Sequence, residues 1–474
     1  MPPRRSARLV ELANPHFQLP FPPDIVALLF SLLPLDTRLR AREVCRGWRF
    51  FLEDASWWEC VDLGYDCGVN PRFLSDSRLA LALLRAACVR AKGNLESLDL
   101  SGVSFDDDDP FVLRWLDSAP VADKASLRDL LAPWQSLFVE HVNALCCALP
   151  LCRVCCRVYC NAVEALPLLR REPPYELLTV YELLVDDLDS DADDDDGQEV
   201  LDLADALARH TEMELFQIHR LRNMRLATRA VDALVDGAIS AGITNVHFDE
   251  CGLTQTALPA LARLLQSPDI ESLYVTNDDV AMFEGPALPE HGDAQVIDLR
   301  SAFCDASRNS KSLQRLWLIC VHLWADVAAA GLLIAALEGH PSLLKLELSK
   351  NRTDGTPATQ RAVGECLARL IARSSRLRTL CLDDNRLGEA GMAPIFEALR
   401  CTSTLTELSL RGEQFSLDFV RDVVLPAVRA STSLRNLESV NLVDAEEDEE
   451  ELLPELREVE GILEARRLAD EEAA

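Results

Sequence analysis

The chain has 474 residues, 49% of them hydrophobic, so it has room for more than one domain with a substantial core. Its 78 Asp and Glu residues outweigh 47 Lys and Arg residues, which gives a formal net charge of −31. Nucleic acids and anionic membranes bind proteins through dense Lys and Arg, so this balance argues against both partners and favours a basic protein surface.

Residues 1–18 form a predicted flexible tail, which carries charge but lacks the apolar segment of a secretory signal. The longest apolar run, Val327–Leu337, is too short to cross a bilayer. We therefore expect a protein of the cytoplasm or the nucleus, whose 16 cysteines are reduced thiols.

Residues 19–63 predict a small all-α module with more apolar surface than so short a segment buries by itself. Pro22 and Pro23 precede the helix N-cap Asp24, and leucines then recur at three- and four-residue spacing. Pro34 ends this helix, and later aromatic residues include the pair Trp57 and Trp58. Apolar side chains left over on such a module favour a protein partner.

The sequence of this segment resembles an F-box, the motif that docks substrate receptors onto the Skp-family adaptor of cullin ubiquitin ligases. The resemblance covers about a tenth of the chain and includes an ordered Leu-Pro start, a Leu-Pro-Leu-Asp break and Val-Cys-x-x-Trp. The alternative is an ordinary three-helix cap on a larger domain. The resemblance implies the following adaptor-contact residues: Leu19, Pro20, Ile25, Leu28, Phe30, Leu33, Pro34, Val44 and Trp48.

After a predicted helical linker at 64–94, a phrase L-x-x-L-x-L recurs through residues 95–443, often followed by x-x-N/C-x-L. The clearer copies begin at Leu95, Ile243, Ile270, Leu313, Leu343, Leu377, Leu405 and Leu437. Degenerate copies fit Leu151-Val154-Cys156, Leu178-Tyr181-Leu183 and Met213-Phe216-Ile218, and the register between 127 and 220 stays open. Asn351 and Asn385 stand where an internal side chain would satisfy free backbone groups.

This phrase is the leucine-rich-repeat signature, and its period near thirty residues resembles the ribonuclease-inhibitor class. The resemblance implies an α/β fold, a right-handed horseshoe solenoid with a parallel inner sheet and outer helices. The variable strand positions would then line the concave face, where a solenoid presents a binding surface. The predicted client-binding residues are Asp99, His247, Tyr274, Trp317, Glu347, Cys381 and Ser409, each of which could also be a plain solvated strand residue. Arg315 and Lys345 lie beside the aromatic members.

Acidic runs interrupt the repeats at 106–109 and 186–196, and residues 444–474 combine a third run with a predicted C-terminal helix. Like charges repel, so the first two runs are predicted to be solvated loops. The middle run has a superficial likeness to a calcium loop but lacks its Gly and closing Glu. Between 276 and 312, either a longer loop or a degenerate helix extends one unit.

Six cysteines cluster between Cys146 and Cys160, and the C-x-x-C spacing of Cys152 and Cys155 suits a zinc site. The second ligand pair is missing, so we favour a buried strand whose cysteines face the core, with no metal and no cofactor. The sequence contains no nucleotide-binding, hydrolase or metalloprotease motif.

Together, the two resemblances imply an F-box/leucine-rich-repeat receptor: a non-catalytic subunit that joins a protein client to the Skp-family adaptor and cullin ligase. Two alternatives stay open, a repeat scaffold without a ubiquitin role and a GTPase-activating protein of the Ran type. The identity of the client, its need for a phosphate or a small molecule, and the oligomeric state cannot be read from the sequence.

Overall fold

The structure is a computed structural model that describes residues 33–44, 52, 58–63, 69, 76–100, 103, 111–173, 175, 178–185, 198–210, 213–219, 228–277, 281–283, 299–438, 441–442 and 454–473. The chain divides into two compact units, residues 1–185 and residues 186–474. Both units are built from parallel strands that alternate with helices.

Unit 1 pairs five parallel strands in chain order. Strands and helices are α1 (Leu35–Val44), β1 (Cys60–Asp62), α2 (Ser77–Ala91), β2 (Ser97–Asp99), α3 (Phe111–Ser118), α4 (Val121–Ser126), β3 (Asp129–Phe138), α5 (Val139–Ala148), β4 (Arg153–Cys160), α6 (Ala162–Leu169) and β5 (Leu178–Val185).

The sheet of unit 1 begins earlier than residue 95, inside the range predicted for the all-α module. Strand β1 pairs with β2, and Trp58, Val61 and Leu63 are all buried at the spacing of the repeat phrase. Trp58 therefore fills the place of a first leucine. Its indole N–H donates to the Leu52 carbonyl at 2.9 Å, and the Arg90 guanidinium lies 5.6 Å from its ring centroid. This tryptophan belongs to the core and is not presented to a partner.

Of the two degenerate copies predicted in unit 1, Val154 and Cys156 are buried in the predicted register, whereas the copy that begins at Leu178 differs from the prediction. Leu178 pairs with Val154 and Val180 with Cys156, and a bulge then skips Tyr181, so the phrase there runs Tyr175-Leu178-Val180. Leu151 is 66% exposed, and the sequence reading also missed strand β3. The sequence did contain a signal for β3, because Leu127 and Leu130 have the spacing of the first two leucines of the repeat phrase, and both are buried.

In unit 2, strands β6–β12 and then β14 lie side by side in parallel. Strands β13 and β15 form a separate, short parallel pair. Its elements are α7 (Gln198–Leu207), β6 (Leu215–His219), α8 (Thr228–Ala241), β7 (Asn245–Asp249), α9 (Leu258–Gln266), β8 (Ser272–Thr276), α10 (Leu299–Asn309), β9 (Arg315–Ile319), α11 (Val327–Leu337), β10 (Lys345–Glu347), α12 (Pro357–Arg373), β11 (Thr379–Cys381), α13 (Gly388–Leu399), β12 (Glu407–Ser409), β13 (Gln414–Phe415), α14 (Leu417–Phe419, a π-helical turn Val420–Val424, and Leu425–Ala430), β14 (Asn436–Glu438), β15 (Asn441–Leu442) and α15 (Pro454–Ala473).

The leucines of the repeat phrase form the core of unit 2, as predicted. Leu316, Leu346, Leu380 and Leu408 share one register row across β9–β12, and none is exposed to solvent. Residues of the facing helices, such as Leu333 and Ile395, are also buried. One face of the sheet is thus covered by helices. The other face carries the alternate strand residues, and we call it the open face.

A column of polar side chains inside the turns after the strands satisfies backbone groups, which confirms the prediction for Asn351 and Asn385. The Asn351 amide oxygen accepts from the N–H of Val321 and Leu323 at 3.0 and 3.1 Å, and its NH₂ donates to the Leu318 carbonyl at 2.6 Å. Asn385 accepts from the Asn351 N–H at 3.1 Å.

One repeat later the same task falls to a carboxylate, which the sequence pattern did not indicate. Glu413 is 2% exposed and accepts from the N–H groups of Leu387 and Gly388 at 3.1 and 3.0 Å. Burial raises the pKa of Glu413, although the backbone donors oppose that shift.

Between β8 and β9 the chain forms helix α10, the one α-helix of this repeat, and residues 278–280 and 284–298, which contain most of the extra length, lie outside the described part of the chain. Phe303 of α10 meets Phe283 edge to face, with ring centroids 6.0 Å apart. Arg300 pairs with Asp326 at 2.7 Å, and Asp326 also caps helix α11 by accepting from the Ala329 N–H.

The C-terminal helix α15 packs on the last repeat through a narrow apolar face and several arginines. Val459 and Leu463 are buried and Leu456 is half-buried, as predicted for that face, while Leu453 lies outside the described residues. Three ion pairs join the helix to the repeat: Arg421 with Glu455, Arg429 with Glu458, and Arg435 with Asp470.

Helices α12 and α13 approach each other so closely that only glycine fits at two positions. A Cβ atom built on Gly364 would overlap the carbonyl oxygen of Gly391, and one built on Gly391 would lie 2.7 Å from the Gln360 carbonyl oxygen. The contacting atoms belong to the backbone, so neither helix can yield without shifting as a whole.

We therefore expect Gly364→Ala to lower the free energy of unfolding by about 1–3 kcal/mol, as overpacking does in close-packed interiors. Denaturant unfolding followed by circular dichroism measures the change. The matched control is Gly461→Ala, because a Cβ there meets nothing within 4 Å. Gly461 lies within helix α15, so this control should gain about 0.5–1 kcal/mol from helix propensity. Equal effects of the two substitutions would contradict the close approach.

Candidate functional site

Six of the seven predicted client-binding residues occupy one register row on the open face of unit 2. Neighbouring strands pair these positions in order, and Gln217 and Glu438, which the sequence reading missed, extend the row at its two ends. Gln217 and Glu438 could have been found from the sequence, because each stands at the same variable strand position of the repeat phrase as the six predicted residues. The row is Gln217, His247, Tyr274, Trp317, Glu347, Cys381, Ser409 and Glu438.

Three consecutive strands place aromatic rings in this row, and we call His247, Tyr274 and Trp317 the aromatic row. The ring centroids of His247 and Tyr274 are 5.1 Å apart, and those of Tyr274 and Trp317 are 6.0 Å apart. All three side chains are half-buried, so one side of the group packs on the sheet and the other stays accessible. Rings held in this way present a rigid apolar surface at low entropic cost.

Two cations border the aromatic row from the preceding register position. The Lys345 ammonium lies 5.3 Å and the Arg315 guanidinium 6.0 Å from the Trp317 ring centroid, within cation–π range. Each cation is also held by a neighbour on the sheet. Lys345 pairs with Glu347 at 3.5 Å, and Arg315 donates to the Asn245 amide oxygen at 2.9 Å.

The environment of the aromatic row keeps His247 and Tyr274 uncharged at neutral pH. Burial, assisted by the Arg315 guanidinium, lowers the pKa of His247 to about 4. Burial and then the nearby carboxylates of Asp249 and Glu347 raise the pKa of Tyr274 to about 12. The aromatic row therefore offers neutral rings, with positive charge confined to its border.

Carboxylates at the downstream ends of the strands are oriented by local hydrogen bonds. Asp249 accepts from the Thr276 hydroxyl at 2.5 Å. Asp383 accepts from the Ser409 hydroxyl at 2.6 Å, and Arg411 pairs with Glu438 at 2.6 Å. Ser409, predicted as a contact residue, is 7% exposed and serves to position Asp383.

The remaining predicted contact residues divide between the two units. Cys381 is half-buried in the row, and burial followed by the Glu347 carboxylate raises the pKa of its thiol to about 12, so the thiolate is scarce at neutral pH. Asp99 lies on β2 in unit 1, where its carbonyl accepts from the Leu63 N–H at 2.8 Å. The structure therefore does not group Asp99 with the other six.

Of the predicted adaptor-contact residues, Leu33 and Pro34 have described side chains, and both are half-buried just before helix α1. The Leu33 carbonyl accepts from the Arg38 guanidinium at 2.8 Å, and the Pro34 carbonyl accepts from the Arg38 N–H. Val44 ends α1. The others, Leu19, Pro20, Ile25, Leu28, Phe30 and Trp48, lie outside the described residues.

The cysteine segment forms strand β4, whose side chains alternate between the two faces of the sheet. Cys156 and Cys160 are buried beside Val154 and Val158, whereas Cys155 points to the other side. Burial raises the pKa of Cys152 to about 12. In the described parts of the chain, no group of three or more His, Cys, Asp or Glu side chains is arranged to hold a metal ion.

No protein-family model matches the sequence. Human NACHT, LRR and PYD domains-containing protein 5 is 30% identical over 221 residues, which cover 41% of this chain and 17% of that protein. The chain thus spans about a sixth of the length of this relative.

Two solved structures are similar over parts of the chain. The TLR13–ssRNA13 complex has a TM-score of 0.27 at 14% identity, covering 73% of this chain and 36% of the matched chain. A protein from Bacteroides fragilis has a TM-score of 0.34 at 10% identity, covering 60% and 70%. Among the described helices, none combines the length and apolarity that a bilayer crossing requires.

The repeat phrase and the parallel sheet ordered along the chain define a leucine-rich-repeat protein. More particularly, it is an α/β repeat chain in which parallel strands alternate with helices. In unit 2 each clear repeat has one strand and one α-helix, as the repeat period near thirty residues predicted.

The depressed pKa of His247 predicts a pH-dependent contribution to stability. The folded pKa of about 4 lies below the ordinary value of about 6.5, so the unfolded chain takes up the proton first. Stability from the neutral ring is present above about pH 6.5 and is lost as the pH falls towards 4. Unfolding midpoints measured between pH 7 and pH 4 should therefore fall more steeply for the wild type than for His247→Gln. Parallel curves would contradict the buried, neutral ring.

Proposed function

We propose that this protein is a non-catalytic receptor that binds a protein client through the open face of unit 2. The observation that carries the proposal is the aromatic row, in which adjacent strands hold three half-buried rings whose centroids lie within 6.3 Å of one another. Aromatic anchors of this kind dominate the energetics of protein interfaces. The bordering cations and carboxylates provide the polar rim that usually surrounds such anchors.

The F-box-like sequence of residues 19–63 supports a more specific role. By that resemblance, the N-terminal segment docks on a Skp-family adaptor, and the repeats bring the client to a cullin ubiquitin ligase in the cytoplasm or the nucleus. Such a receptor acts by raising the effective concentration of the client near the ligase, so it needs no catalytic residues of its own.

The adaptor interaction predicts a defined loss of binding. Changing Leu33 and Pro34 together to Ala should weaken co-purification with the Skp-family adaptor at least tenfold, because each buried apolar side chain contributes about 1.5–3 kcal/mol. The measurement is co-expression followed by affinity capture and quantification of the bound adaptor.

Leu332→Ala is the matched control, because Leu332 is a 56% exposed leucine on helix α11. Its adaptor binding should equal that of the wild type. Wild-type protein that does not bind the adaptor, or a double variant that binds it fully, would favour the repeat scaffold without a ubiquitin role.

Client binding is tested independently on the open face. Tyr274→Ala combined with Trp317→Ala should abolish specific client capture, since interface anchors of this type contribute about 2 kcal/mol or more each. Quantitative proximity labelling in cells with a blocked proteasome compares the wild type, this double variant and Leu332→Ala. Proteins labelled by the wild type and the control but not by the double variant are the expected clients. Identical labelling by all three would refute the open-face site.

A further inference from the structure

A cavity of about 400 Å³ lies where the chain enters the last three repeat strands of unit 2, away from the aromatic row. Nine of its lining residues come from equivalent positions of three successive repeats, in three rows of three. The rows are Ser375, Ser403 and Thr432; Arg376, Thr404 and Ser433; and Arg378, Thr406 and Arg435.

The sheet register places these rows side by side. Thr379 pairs with Glu407, and Glu407 pairs with Asn436, so the three residues that precede them form one line. Along that line the Thr406 N–H donates to the Arg378 carbonyl, and the Arg435 N–H donates to the Thr406 carbonyl, each at 2.8 Å. With strands about 4.8 Å apart, Arg378 and Arg435 stand about 10 Å from each other across Thr406.

The charge of the cavity is opposite to that of the whole chain. All nine row residues carry a guanidinium or a hydroxyl group, in a protein of net charge −31. The tenth lining residue is Asp470 of helix α15, and it already forms a two-point ion pair with Arg435, at 2.6 and 3.3 Å. In the described part of the chain, Arg376 and Arg378 form no ion pair.

The hydroxyl groups fall into two sets. Thr404, Thr406 and Ser433 donate to the carbonyls of Ser374, Arg378 and Thr402, at 3.2, 3.1 and 3.4 Å, which fixes the turns. Ser375, Ser403 and Thr432 form the exposed outer row, and their hydroxyls have no hydrogen-bond partner among the described residues. The outer row can therefore donate to a ligand while the inner hydroxyls hold the turns.

This arrangement is not a general property of the repeat. In the preceding unit, Pro341 stands at the place of Ser375 and Leu344 at the place of Arg378. A proline and a leucine offer neither charge nor a hydrogen-bond donor. The grid of donors is therefore interrupted at this preceding repeat, where Ser342 alone of the three positions keeps a hydroxyl.

We propose that this cavity binds a phosphate monoester. Guanidinium groups recognise phosphate through paired charge-assisted hydrogen bonds, and hydroxyl donors complete the coordination of its oxygens. The Asp470 carboxylate, which Arg435 binds, shows that this side of the cavity can hold an oxyanion. Among the described residues Asp470 pairs only with Arg435, so Arg376 and Arg378 are left to bind the ligand. The monoester can belong to a phosphorylated side chain of a protein or to a small phosphorylated molecule. The site is separate from the aromatic row, so it stands or falls independently of client binding there.

The test uses the full chain and titrates inorganic phosphate, O-phosphoserine and a phosphoserine peptide by calorimetry, at constant ionic strength set with chloride. Saturable binding of a phosphate monoester is expected. The double variant Arg376→Ala/Arg378→Ala should weaken it at least tenfold. Arg352→Ala removes an exposed arginine outside the cavity and should leave the affinity unchanged within about twofold.

The two ligand sources are distinguished in the same titrations. A phosphopeptide that binds more tightly than O-phosphoserine assigns the site to phosphorylated protein segments, and equal affinities assign it to small molecules. Circular dichroism confirms that the variants are folded. No saturable binding of any of the three ligands, or an equal loss in Arg352→Ala, would overturn the proposal.

Discussion

The repeats of unit 2 depend on the burial of hydrogen-bonded polar side chains inside the turns that follow the strands. Each turn leaves backbone N–H and C=O groups away from water, and an unpaired buried group costs about 1–3 kcal/mol. Asn351 alone satisfies the N–H groups of Val321 and Leu323 and the carbonyls of Leu318 and Leu348. Since its partners belong to the adjacent repeat as well as its own, the same bonds that fill the turn also fix how one repeat stacks on the next.

Fixed stacking explains why a binding surface arises from residues far apart in sequence. Once the buried leucines of neighbouring strands are in register, every variable position between them is in register too. His247, Tyr274 and Trp317 are separated by 27 and 43 positions, yet their ring centroids lie 5.1 to 6.3 Å apart, close to the spacing of adjacent strands. The long connection between β8 and β9 does not disturb this row, because the register from β8 to β9 is continuous.

These rules also define what could be predicted from the sequence. In unit 2 the phrase is regular, so the strands, the internal Asn351 and Asn385, and six residues of the open-face row could be predicted. In unit 1 other residues replace the leucines: Trp58 fills the first position of the phrase at β1 and Tyr175 at β5, and both are buried there. A pattern search for leucine therefore misplaces these copies, although the packing role is preserved.

A second group of features could not be read from a local pattern, because it exists only after the repeats are stacked. Glu413 replaces asparagine in the turn column, and it is recognised only by the N–H groups of Leu387 and Gly388 that it accepts from. The close approach at Gly364 likewise depends on the position of the neighbouring helix. The arginine and hydroxyl cavity is similar, since Arg378 and Arg435 lie on different repeats.

The aromatic row and the cavity use different parts of the same repeat. The row takes the variable position within each strand, whereas the cavity takes the positions just before the strand, and both sets are surface residues whose exchange leaves the leucine core intact. A change in the turn column acts differently, because Asn351 and Asn385 set the stacking on which both surfaces depend. Loss of both surfaces together would therefore indicate a stacking defect. Loss of one with retention of the other indicates a direct contact with a ligand, and this difference allows the two surfaces to be assigned separately.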